Sequence, residues 1–171
     1  SAVVEWVQSI DFSDSDSGSD PDTDPETPEY KIQIIYFSAT GNTRRVAQSI
    51  HTLLPFSRIV EITPQNPYTS ADLNYNRDDS RVSREHQDPS LRPPINQIEK
   101  VEEAEIIFLG YPLWWQQAPH VVYTFIEQYN FNGKTIIPFS TSSSSPMGTS
   151  GENLAARATS SKWYQGQQFP S

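Results

Sequence analysis

The chain has 171 residues, 35% hydrophobic and 12% aromatic, which is enough for one ordinary domain with a real core. Its formal charge of −9 carries no basic excess of the kind nucleic-acid binders need, and the absence of cysteine excludes disulfides, cysteine–zinc sites, iron–sulfur clusters and thiol nucleophiles. No run approaches the ~20 apolar residues of a membrane span, and no basic-then-apolar signal peptide is present.

The charge is unevenly placed. Residues 1–30 hold nine of the 21 acidic residues and no Lys or Arg, leaving 12 acids against 12 bases over 31–171. The acidity belongs to the head of the chain, and the remainder is formally neutral. Within that head, Val3, Trp6, Val7 and Ile10 fall at helical spacing and predict a short amphipathic helix over 2–10. "DFSDSDSGSDPDTDPETPEY" (11–30) has almost no apolar side chain to offset its conformational entropy and reads as a flexible acidic linker.

"KIQIIYF" (31–37) is a run of β-formers suited to a buried strand, and it stops at "SATGNT". A helix follows with Val46, Ala47, Ile50, Leu53 and Leu54 on one face, ended by Pro55. "SRIVEIT" (57–63) predicts a second strand. Residues 64–98 are polar, proline-bearing and without a clear period, and a stretch that long inside a domain is often functional. "AEIIFLG" (104–110) and "KTIIPFS" (134–140) predict two more buried strands, with the helix "PHVVYTFIEQY" between them. "ENLAARAT" predicts a helix and "KWYQGQQF" (162–169) a last strand. Strands alternating with helices imply parallel pairing with right-handed crossovers, hence an open doubly wound sheet.

In such sheets ligands sit beyond the carboxyl ends of the strands. Three chemically loaded loops follow three different strands there. "SATGNT" (38–43) supplies Ser, Thr and Asn side chains and a glycine at a helix start, where free N–H groups and the helix dipole favour a phosphate. It has neither the lysine of a triphosphate-binding loop nor a three-glycine dinucleotide fingerprint, and without a ligand the same string is an N-cap and tight turn. "GYPLWWQQAP" (110–119) puts two tryptophans where a flat heteroaromatic ring would stack, or where they would cap the core or face a partner. "TSSSSPMG" (141–148) reads as a line of hydroxyls and amides along such a ring, or simply as a polar loop.

These residues resemble the flavodoxin family, whose three flavin mononucleotide (FMN) loops occur in this chain order. The likeness continues through "PYTSADLNYN" and "GKTIIPFSTSSSS" and covers 31–169. It implies a three-layer, doubly wound α/β fold whose five-stranded parallel sheet has the order 2-1-3-4-5. By the same resemblance Ser38, Thr40, Asn42 and Thr43, with the amides of Ala39 and Gly41, hold the FMN phosphate. Pro112, Leu113, Trp114 and Trp115 pack along one side of the isoalloxazine, and Thr141, Ser142, Ser143, Ser144 and Gly148 contact it from the third loop. The protein would tune the flavin's potentials through packing and hydrogen bonds.

Electron transfer to a redox partner protein or small acceptor is the implied function. An FMN-dependent NAD(P)H:quinone-type reductase and a flavin-free binding module are the alternatives. Shuttle flavodoxins resemble strongly acidic proteins, whereas this domain is neutral. Arg77, Arg81, Arg84 and His86, in the 74–94 stretch, either reach the flavin and bind an anionic substrate or pair with Asp78, Asp79, Glu85 and Asp88. His51, His86 and His120 lack metal-site spacing. The family implies a cytoplasmic location, while the Ser/Asp/Pro stretch resembles the stalk of a bacterial surface protein.

The last strand has no helix after it, and the first helix has no strand before it. Joining Ser171 to Ser1 gives "KWYQGQQFPSSAVVEWVQSI", the strand, loop and helix with which the family's chain closes. The expectation is a circular permutant: 1–10 the topologically last helix, 11–30 a bridge reaching about 25 Å, and 31–171 the flavodoxin-like domain.

Overall fold

The computed structural model describes residues 1–12 and 31–171. Beyond Phe12, the linker expected over 11–30 lies outside the described residues. The buried runs form the centre of a parallel sheet: β1 (Ile32–Tyr36), β3 (Ile106–Pro112) and β4 (Thr135–Ser142) are covered along nearly their whole lengths. This is what continuous apolar strands require when helices lie on both faces. β2 (Arg58–Glu61) is half-buried and forms one edge. With β5 (Lys162–Trp163) at the far side, the order among the described residues is β2-β1-β3-β4-β5, all parallel, as expected.

Alternation along each strand sorts the core into two layers. Ile34, Tyr36, Phe108, Ile137 and Phe139 face α1 (Ala2–Ser9) and α2 (Asn42–Leu53). Ile35, Ile107, Leu109, Tyr111 and Ile136 face α4 (His120–Gln128) and Leu154 of α5 (Ser150–Ala155). Gly110 is needed where β3 passes the Phe139 ring, because a β-carbon there would collide with it.

Two boundaries differ from expectation, and both matter for the site. β3 and β4 stay paired through Pro112 and Thr141, so the "GYP" and "TS" ends expected as loop are strand. The single last strand is instead two segments, β5 (Lys162–Trp163) and β6 (Gln167–Pro170), both on β4. Between the two ladders the edge chain advances one residue more than β4, a bulge placed beside Pro138, which has no N–H to offer.

The aperiodic stretch 64–98 is folded. It contains α3 (Arg81–Gln87), capped by the Ser80 side chain, and an antiparallel bridge between Pro64 and Ile95. Its packing is polar at the centre, which is why no hydrophobic period marks it. Glu85 is buried, accepts from the Tyr68 hydroxyl (2.6 Å) and from Arg81 Nε (3.0 Å), while the Arg81 guanidinium lies over the Tyr68 ring.

Candidate functional site

The ends of β1, β3 and β4 converge with the 64–98 insert around a cleft of about 550 Å³. Ala39 and Thr40 line it from the first loop, Pro112, Leu113, Trp114 and Trp115 from the second, and Ser143 from the third. The insert adds Leu73, Tyr75 and Val82. The first loop enters α2 through Gly41, whose φ of 97° is left-handed and suits glycine. The Gly41 N–H donates to Ser38 Oγ (3.0 Å), which closes the turn. The first bond within α2 runs from the Arg45 N–H to the Gly41 carbonyl (3.1 Å), so the amides of Asn42, Thr43 and Arg44 precede it and face the loop. The Arg44 guanidinium is engaged by Glu61 (2.5 Å), a bond that holds its pKa above the usual value. Anion binding at this loop therefore falls to amides, hydroxyls and the helix dipole.

Thr43 and Thr141 are both buried, and their hydroxyls share a hydrogen bond of 2.7 Å. That bond ties the first loop to the third, with Thr141 held in the β4 ladder rather than in a free loop. One of the two hydroxyls keeps its proton for a further partner, and Thr43 also carries an amide at the helix start. Asn42 donates to the Thr40 hydroxyl (3.4 Å). In the third loop Ser142 Oγ donates to the Ser145 carbonyl, and Ser143 and Ser144 are exposed. Gly148 borders a different hollow, with Met147, Trp163 and Gly166 on the far side of that loop.

The two tryptophans differ in their support. Trp114 packs edge-on against Phe37 and Tyr68, with centroids 5.6 and 5.4 Å away, and so belongs to the core. Trp115 is 40% exposed and stacks on His86 of the insert. The insert's arginines are mostly committed: Arg77 to Asp79, Arg81 to Glu85 and Asp72, and Arg92 to Glu127. Leu73, Tyr75 and Val82 were not among the residues singled out by sequence. An aperiodic segment gives no signal for which of its side chains line a cleft.

This fold, with its amide-rich phosphate-type loop and its aromatic wall at the carboxyl edge, defines a nucleotide-binding doubly wound α/β protein. The flavodoxin profile matches residues 31–170, and the chain belongs to the flavodoxin family. A crystal structure of a candidate flavoprotein from Bacteroides eggerthii is 40% identical, covers 81% of this chain and 87% of its own, and superimposes with a TM-score of 0.78. One from Bacteroides uniformis is 36% identical, with 82% and 90% covered and a TM-score of 0.79. A flavoprotein from Lactobacillus acidophilus in complex with FMN shares the fold at 20% identity, with 81% and 93% covered and a TM-score of 0.68. No curated protein matches.

Proposed function

We propose that the protein binds FMN in the 550 Å³ cleft and serves in electron transfer. The observation that carries this reading is the convergence of an amide-rich helix start, reached through a loop without a cation, with a wall of two tryptophans, at the edge where the family holds its flavin. When bound, FMN supplies reversible one- and two-electron chemistry. The open amides of Asn42, Thr43 and Arg44, with the Thr40 hydroxyl, would take the phosphate. Leu113, Trp114, Trp115 and Val82 would exclude water from the ring, and Ser143 would meet it from the third loop. A redox protein or small acceptor would approach past the exposed Tyr75 and Trp115.

An electron carrier is favoured over a nicotinamide-dependent reductase because, of the insert's candidate cations, Arg77 and Arg81 are in ion pairs and His86 is stacked on Trp115, which leaves Arg84. They offer no assembled site for a dinucleotide phosphate. The test is a visible spectrum of the purified protein with added FMN, followed by NADH or NADPH without another enzyme. The expected protein is yellow and stays oxidised. Rapid bleaching would assign a reductase, and a protein that takes up no FMN would leave only a binding module.

The same reading extends to the chain's organisation. Residues 1–10 act as the closing helix of the domain, outside the 31–170 span that matches the family. In support, Trp6 meets Phe108, Phe139 and Phe169 of the sheet, and the Tyr164 hydroxyl donates to the Asp11 carbonyl (2.8 Å). Among the described residues no helix is long and apolar enough to cross a membrane.

A further inference from the structure

The Trp114–Gln117 reversal is tighter than its sequence favours. The Trp114 N–H donates to the Gln117 carbonyl (2.9 Å) and the Gln117 N–H donates to the Trp114 carbonyl (3.1 Å). This places Trp115 and Gln116 at φ of 50° and 65°. Consecutive left-handed residues are normally Asn or Gly, because a β-carbon there costs roughly 1–2 kcal/mol per residue. Strain of this kind persists only where surrounding contacts hold it, and it gathers at ligand sites.

Those contacts are unequal. The base of the reversal is fixed, since Gln117 Nε2 donates to Thr149 Oγ1 (3.2 Å) and Asn153 Nδ2 donates to Gln117 Oε1 (2.7 Å). Trp114 is anchored in the core. The Trp115 indole projects past these supports, and its one aromatic partner among the described residues is His86, parallel within 3° at 4.3 Å. A hollow of about 30 Å³, bordered by Val82, Glu85, Gln117 and His120, lies beside the same ring. His86 covers one face of the indole, and Trp115 also lines the 550 Å³ cleft.

We propose that His86 is a positioning residue for the flavin: it sets the plane of Trp115, the outer aromatic wall of the cofactor cleft. α3 is held by the Arg81–Glu85–Tyr68 cluster, so the insert fixes the cofactor wall through one ring-on-ring contact. This inference rests on FMN occupying the cleft.

The experiment compares His86→Ala and His86→Phe as purified apoproteins, titrated with FMN and followed by flavin circular dichroism. His86 is exposed, so neither change removes core packing. His86→Ala is expected to weaken FMN binding about three- to tenfold, the worth of one aromatic pair, and to alter the flavin dichroism. His86→Phe keeps a stacking ring and is expected to restore both. Adding Gln116→Gly to His86→Ala is expected to recover part of the affinity, because glycine removes the left-handed cost at that position. His86→Ala with wild-type affinity and dichroism, or failure of His86→Phe to rescue, overturns the inference alone. Wild-type protein that takes up no FMN overturns the binding reading and this inference with it.

Discussion

His120 illustrates how position rather than residue type sets behaviour. It opens α4, and its Nδ1 is buried without a hydrogen-bond partner among the described residues. Burial lowers its pKa and outweighs the Glu85 carboxylate, which acts to raise it, while the positive charge of Arg92 acts with burial. The unfolded chain takes up a proton at this position near pH ~6.5, whereas the folded site resists it. Its contribution to stability is therefore complete at neutral pH and lost as pH falls below about 6.5. A melting temperature that declines from about pH 7 to pH 5 is expected, with a shallower decline in His120→Gln. Equal slopes in the two proteins would refute this origin. Legibility at this scale was partial. The tryptophan pair and "SATGNT" were readable because each sits directly after a strand of unmistakable apolar character. The Thr43–Thr141 bond, the stack of His86 on Trp115 and the placement of Leu73, Tyr75 and Val82 along the cleft depend on contacts far apart in sequence, and local pattern does not encode them.

Among the elements, α1 carries the sharpest consequence. Eight residues in isolation are too short for a stable helix in water, so α1 owes its order to packing. Val7 is buried, and Trp6 reaches three phenylalanines on β3, β4 and β6. Trp6→Ala is expected to cost about 3 kcal/mol and to lower the melting temperature by about 6–12 °C. An unchanged melting curve would make α1 an appendage. The amphipathic stripe of Val3, Trp6, Val7 and Ile10 announced a face that needed burial, and in the structure that face packs on the side of the sheet it shares with α2. The split of β5 from β6 was less legible, because "KWYQGQQF" carries aromatic β-formers at both ends and no proline between them, and so reads as one strand. The bulge arises opposite Pro138, on a different strand. Likewise α3 is held by a buried Glu–Arg–Tyr cluster, and hydrophobic periodicity is blind to that kind of support.

For the molecule as a whole, topology follows from few rules. Buried parallel strands, right-handed crossovers and helices on both faces give a doubly wound sheet with ligand loops gathered on one edge, while the particular order 2-1-3-4-5 came from the resemblance to the family. The net charge misleads until it is located, since 31–171 balances 12 acids with 12 bases. A neutral domain gains little from long-range steering toward a basic partner. The most direct measurement is a calorimetric titration of the apoprotein with FMN and, separately, riboflavin. If the loop from Ser38 to Thr43 cradles the phosphate, FMN binds more than about tenfold tighter, since charge-assisted bonds to its amides are absent with riboflavin. Equal affinity for the two, or binding of neither, would contradict it.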